Sequence, residues 1–212
     1  MNESERPKDV VARGYDAGAD AFAAWQKQII GSTRLEQLDE LLALLPDRPD
    51  VLELGSGAGV LSTRLLAERA NLVGVDISAE QVRRARERVP GVRFLHADFT
   101  ELDLELSTFD AVVSFYVFNH VPREGLGSLL GRIAAWVRPG GYLLASFGAS
   151  DLPDWYGEWL GGVETFFSGY EPDVTLRLVR ESGLTIVREE LETTVEPEGP
   201  VTFLWVLAGK PK

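Results

Sequence analysis

Along residues 51–147 of this 212-residue chain, short apolar runs alternate with segments whose apolar positions recur every three or four residues. The runs at 51–54, 71–75, 92–95, 109–115 and 142–147 have the length of strands, and the fourth is nearly unbroken, which suits a sheet buried on both faces. Between them Val60, Leu61, Leu65 and Leu66, then Val82, Ala85 and Val89, then Leu126, Leu129, Leu130, Ile133 and Val137 fall at helical spacing. Ser78 stands where it can cap the second of these helices, and Pro90-Gly91 stops it. Pro139-Gly140-Gly141 reads as the turn into the fifth strand.

Ahead of this core, Phe22, Trp25 and Ile29, then Leu35, Leu38, Leu41, Leu42 and Leu45, predict helix across 20–45, closed by Pro46 and Pro49. Residues 1–7 read as a frayed tail, and Tyr15-Asp16 as a polar break carrying an exposed aromatic. Beyond the core, Pro172 opens a short helix ending at Gly183, and strands at 184–194 and 201–208 flank a turn at 196–200. Strands joined so closely must be antiparallel, whereas the earlier crossovers are long enough for parallel pairing. The predicted fold class is α/β: a doubly wound, mostly parallel seven-stranded sheet with a C-terminal antiparallel hairpin.

Composition narrows the chemistry. A formal net charge of -12 argues against nucleic acid and anionic membrane surfaces as partners. With no cysteine there is no disulfide, thiolate metal site or cysteine nucleophile, and no metal site is expected. Residues 1–10 are charged rather than signal-like, no apolar run approaches the roughly 18–20 residues of a membrane span, and a cytoplasmic location is expected.

The first strand runs into Glu53-Leu54-Gly55-Ser56-Gly57-Ala58-Gly59. Glycine lets bare backbone N–H groups approach a ligand at the carboxyl end of a parallel sheet. The dinucleotide fingerprint wants its last glycine at the sixth position from Gly55, but Val60 stands there and Gly59 comes one place early. With an acid two residues before Gly55, the run resembles the first motif of the class I S-adenosylmethionine-dependent methyltransferases. The closing hairpin is similar to the end of that family's Rossmann-like sheet.

The resemblance implies S-adenosylmethionine as cofactor and S-adenosylhomocysteine as product. It carries over Asp76 as the acid gripping the ribose hydroxyls, Asp98 as receiver of the adenine amino group, and Ile77 and Phe99 as the apolar walls of the ring. Gly55, Ser56, Gly57 and Gly59 form the cofactor turn, Glu53 orients it or reaches the methionine amino group, and Ser114, Phe115 and Tyr15 complete the site. The sequence 115–122 lacks the Asn/Asp-Pro-Pro-aromatic tetrapeptide of nucleic-acid and amide N-methyltransferases, and lacks the metal-binding aspartate of catechol-type enzymes. It resembles the small-molecule methyltransferases.

Of the two histidines, His96 reads as structural and His120 as a candidate base, with Tyr15, Asp151 and Glu164 as weaker candidates. The aromatics Trp155, Tyr156, Trp159, Phe166, Phe167 and Tyr170, joined by Trp25 and Tyr116, read either as packing under a long loop or as a wall for an apolar, aromatic acceptor. The expected organisation is one domain over 1–212, with an N-terminal helical lid at 1–45, a cofactor-binding core at 51–147, an aromatic substrate-side insert at 148–172, and a helix plus hairpin at 173–212. O-methylation of a small organic acceptor is favoured. The rivals are a cofactor-binding cyclase or scaffold without methyl transfer, and a nicotinamide oxidoreductase, which the glycine spacing disfavours.

Overall fold

The computed structural model describes residues 5–160 and 162–212. Three helices come first, α1 (Pro7–Ala17), α2 (Ala19–Gln26) and α3 (Arg34–Leu44). The core then alternates β1 (Asp50–Leu54), α4 (Ser62–Arg69), β2 (Asn71–Asp76), α5 (Ala79–Arg88), β3 (Arg93–His96), β4 (Phe109–Ser114), a 3-10 turn (Phe118–His120), α6 (Arg123–Trp136) and β5 (Val137–Gly148). A hairpin of β6 (Leu152–Trp159) and β7 (Val163–Gly169) follows, then α7 (Pro172–Glu181), β8 (Thr185–Glu196) and β9 (Gly199–Gly209).

The main sheet has seven strands in the order β3-β2-β1-β4-β5-β9-β8. Strands β1 to β5 pair in parallel, and β9 runs antiparallel to both β5 and β8. The period-2 alternation of each strand decides which helix it meets. On β1, Leu52 and Leu54 face the cluster built on α6 and α7, with Leu130, Ile133 and Val179. Val51 faces the other way, toward Leu38 and Leu41 of α3 and Leu66 of α4. These leucines are fully buried, each worth about 1.5–3 kcal/mol of burial. Because the strand order reverses between β1 and β4, a crevice opens at their carboxyl ends, where the glycine turn lies.

Four sequence expectations are corrected. Tyr15-Asp16 is no break. Pro7 starts α1 at a position where its missing N–H is harmless, so the helix runs through Tyr15 and turns it inward. Helix is not continuous over 20–45. Gly31, at φ 82°, bends the chain so that Ile30 bridges Val195 of β8, and Ile29 falls outside both helices. The segment 148–172 is not a loop. It folds as the β6–β7 hairpin, in which Trp155 pairs with Phe167 and Tyr156 with Phe166, an alternation hidden by aromatics on both faces. Pro139-Gly140-Gly141 is absorbed into β5 as a register shift against β4. A Cβ on Gly141 would meet the Asp110 carbonyl at 2.6 Å, so only glycine lets the strand continue there.

Candidate active site

At the switch point lies a cavity of about 1000 Å³, bounded by the glycine turn, the ends of β2, β3 and β4, one face each of α1 and α2, and the tip of the β8–β9 hairpin. Lys8, Val11 and Tyr15, spaced three and four apart, make the α1 wall.

The glycine turn is held from beneath. Gly57 N–H donates to Asp76 Oδ2 at 2.8 Å, and Ser78 N–H donates to Asp76 Oδ1 at 2.9 Å. Gly55 has φ 72°, and a Cβ there would meet Val117 Cγ2 at 2.2 Å, so the turn takes no larger residue at that position. Burial raises the pKa of Asp76, and the two N–H donors oppose that rise. As the sequence implies, Ser78 caps α5, accepting from Gln81 N–H at 3.1 Å. Its hydroxyl donates to Asp16 at 2.6 Å, which ties α1 to this end of the site.

Glu53 alternates onto the α3/α4 face of β1 and is 2% exposed. Ser62 donates to its Oε1 at 2.8 Å, while Oε2 is buried without a partner. Burial pushes the carboxyl up to about 7, against the Ser62 hydrogen bond and the charge of Arg34. Arg34 reaches the same cavity from the start of α3, and its Nε is also buried without a partner. The guanidinium stacks over Tyr116 at 4.5 Å from the ring centre. Tyr116 itself holds a left-handed backbone at φ 61°, with its N–H donated to Ser146 Oγ at 2.7 Å.

At the far end Asp98 accepts from Thr100 N–H at 2.8 Å and pairs with Lys8 Nζ at 3.3 Å, and its Oδ2 lacks a well-aligned hydrogen bond. Lys8 also pairs with Glu101. Phe99 is buried edge-on to Phe118, and Phe99 and Ile77 both line the cavity.

The two candidate catalytic side chains meet. Tyr15 lies 2.9 Å from His120 Nε2, and His120 Nδ1 lies 2.8 Å from the Phe166 carbonyl. A carbonyl can only accept, so Nδ1 carries the proton, Nε2 is the lone-pair nitrogen, and the Tyr15 hydroxyl donates to it. The partner of Nδ1 is thus on β7, not on the turn that carries His120. Burial pulls the His120 pKa down to about 4, so the ring is neutral at pH 7. Burial also raises the Tyr15 pKa, with the charges of Asp76 and Glu196 adding to the rise.

Of the remaining sequence candidates, Ser56, Phe115, Trp25, Trp159 and Phe167 line the cavity, and Trp25 meets Trp159 edge-on at 5.1 Å. The others do not. The buried Ser114 hydroxyl donates to the Leu54 carbonyl, and Gly59 faces Ala85 of α5. Trp155 and Tyr156 are 43% and 37% exposed behind the wall, stacked on Phe167 and against Phe166. His96 faces the Ile77 carbonyl at 3.1 Å. Asp151 and Glu164 are surface ion-pair partners of Arg123 and Arg13. Sequence reasoning missed Lys8, Arg34 and Glu196. Glu196 shares one side of β8 with Thr194 and both reach the cavity, but the strand expected from sequence ends at 194 and leaves Glu196 in the turn.

This sheet order and glycine turn define the class I methyltransferase fold. Residues 51–141 match the family described as "Methyltransferase domain". An uncharacterised methyltransferase of Mycobacterium tuberculosis is 39% identical over 95 residues, 44% of this chain and 47% of that protein. The chain thus spans about half the length of that relative. The demethylmenaquinone methyltransferase of Clavibacter sepedonicus is 34% identical over 158 residues, 71% of this chain and 62% of that protein. Among solved structures, the 1,6-didemethyltoxoflavin-N1-methyltransferase of Burkholderia thailandensis superposes with TM-score 0.75 at 21% identity, covering 100% of this chain and 93% of that one. Residues 51–141 thus carry the methyltransferase domain, and the chain as a whole shares the fold of methyltransferases of solved structure. Among the described residues, no helix is long and apolar enough to cross a membrane.

Proposed function

We propose that this chain transfers the methyl group of S-adenosylmethionine to a hydroxyl group of a small, apolar, aromatic acceptor. The observation that carries the reading is a pair of buried, unpartnered polar atoms, Glu53 Oε2 and Arg34 Nε, lining one cavity beside the glycine turn. A buried polar atom without a partner is costly in a finished fold, and a zwitterionic amino-acid group supplies what both lack. Glu53 would take the ammonium and Arg34 the carboxylate of the methionine portion. Asp76 would grip the ribose, and Asp98 the adenine amino group, with Ile77 and Phe99 on the ring.

When bound, the cofactor supplies an electrophilic methyl group on a cationic sulfur. The chain's own contribution is to hold the acceptor in line with that methyl and to keep water out. Trp25, Tyr116, Trp159 and Phe167 offer the acceptor an aromatic wall. His120, neutral and with Nε2 engaged, acts as the group that orients Tyr15 rather than as the proton acceptor.

Calorimetric titration tests this reading, using S-adenosylmethionine, S-adenosylhomocysteine and reduced nicotinamide dinucleotides. One-to-one binding of the two sulfur compounds and none of the nicotinamides is expected. No binding of either sulfur compound would overturn it.

A further inference from the structure

We propose that Glu196 is the catalytic base: it binds the acceptor's hydroxyl and takes its proton as the methyl group transfers. The inference rests on the hydroxyl-acceptor reading above. Glu196 ends β8 on the cavity side of the strand, in register with the buried Thr194, while Val195 between them points outward and is 51% exposed. Its backbone is fixed from both sides. Val195 exchanges two hydrogen bonds with Ile30, at 2.9 and 3.1 Å, and Trp25 Nε1 donates to Glu198 at 2.8 Å. The hairpin tip is thereby clamped to the N-terminal helices, yet among the described residues nothing donates to the Glu196 carboxylate itself.

Other charged groups facing the cavity are Arg6 and Lys8 at the start of α1, Lys27 after α2, Arg34 of α3, Glu53 of β1, Asp76 of β2, and Asp98 and Glu101 after β3, with the phenol of Tyr15 and the ring of His120. Burial, with the neighbouring charge of Glu198 adding to it, lifts the Glu196 carboxyl to about 7. A base of that strength is half ionised at neutral pH, the balance general-base catalysis favours.

The step balances. The acceptor O–H bond breaks with its proton passing to the Glu196 carboxylate. The oxygen lone pair forms the new bond to the methyl carbon, and the methyl–sulfur bond breaks with its electrons left on the now neutral sulfur. Glu196 then returns its proton to solvent.

The test uses 2-naphthol and its methyl ether, titrated against the full chain with and without S-adenosylhomocysteine, between about pH 5.5 and 8.5. Wild type should prefer the naphthol by about tenfold, with the preference growing as pH rises through about 7, whereas Glu196→Gln should show a smaller and pH-independent preference. With S-adenosylmethionine and hydroxylated aromatics, Glu196→Gln should lower kcat by about 10²–10⁴-fold and leave S-adenosylhomocysteine affinity within about twofold. An intact S-adenosylhomocysteine site with no pH-dependent naphthol preference, or full kcat in Glu196→Gln, would overturn the role of Glu196 alone. Failure to bind S-adenosylhomocysteine would overturn the methyl-transfer reading and this step with it.

Discussion

The Tyr15 hydroxyl donates to His120 Nε2 at 2.9 Å, joining α1 to the 3-10 turn after β4 across the mouth of the cavity. The bond is one link of a chain ending on β7, because His120 Nδ1–H donates to the Phe166 carbonyl. Tyr15→Phe leaves Nε2 buried and unpaired, and should lower stability by about 1–2 kcal/mol. His120→Ala removes both links and should cost more. In urea unfolding, the double variant should lose less than the sum of the single losses, with a coupling of at least about 0.5 kcal/mol. Additive losses would mean that the two side chains are neighbours without a bond.

The same histidine gives a pH signature. Its folded pKa of about 4 lies below the ordinary 6.5, so the unfolded chain takes up a proton first as pH falls. Its contribution to stability is therefore present above pH 6.5 and lost as pH falls toward 4, by on the order of 3 kcal/mol. Glu53 and Glu196, both lifted to about 7, have the opposite sign. Their contribution is full below the ordinary 4.5 and is lost as pH rises toward 7. Urea midpoints for wild type and His120→Ala, compared at several pH values from 7 to 4, separate the two. The variant should fall less on acidification, and parallel curves would contradict a neutral, buried His120.

Asp76 has two duties that a substitution can divide. Its oxygens hold Gly57 and Ser78 N–H in place, and the same carboxylate is the proposed ribose grip. Asp76→Asn keeps one acceptor for the backbone but replaces the charged grip, while Asp76→Ala also frees the glycine turn. Calorimetry should give S-adenosylhomocysteine affinity at least about tenfold weaker in Asp76→Asn and weaker again in Asp76→Ala. Equal affinities in all three proteins would remove Asp76 from the ribose.

The sheet was legible because β1 to β5 are short, apolar and separated by periodic helices, and because the link from β8 to β9 is too short for a crossover. The glycine turn, Asp76 and Asp98 were legible because their spacing along the chain is fixed by that topology. The β6–β7 hairpin was not, since Trp155, Tyr156, Phe166 and Phe167 place aromatics on both faces and erase the period of two. Arg34 and Glu196 were also missed. Arg34 opens a surface-looking helix, and Glu196 lies at what reads as a polar turn. Both become cavity residues through a contact invisible in local sequence, the bridge between Ile30 and Val195 that folds the hairpin tip against the N-terminal helices.

The packing of α1 on β7 yields a prediction in which two effects of opposite sign compete. Replacing a glycine inside a helix by alanine ordinarily gains up to about 1 kcal/mol. At Gly14, however, a Cβ would stand 2.5 Å from the Glu164 carbonyl oxygen and 3.3 Å from Val163 Cγ1. The nearer atom is backbone within β7 and cannot swing aside, so α1 must lift, and overpacking of this kind costs about 1–3 kcal/mol. The clash should win. Gly14→Ala should therefore unfold at lower temperature than wild type, whereas Arg13→Ala, one residue away but exposed, should stay within about 0.5 kcal/mol. Because Tyr15 follows Gly14 directly, lifting α1 also stretches the bond to His120. Adding Gly14→Ala to Tyr15→Phe should then cost less than Gly14→Ala costs alone. A Gly14→Ala protein more stable than wild type would show that helix propensity outweighs the contact, and that α1 does not sit against β7 at this distance in solution.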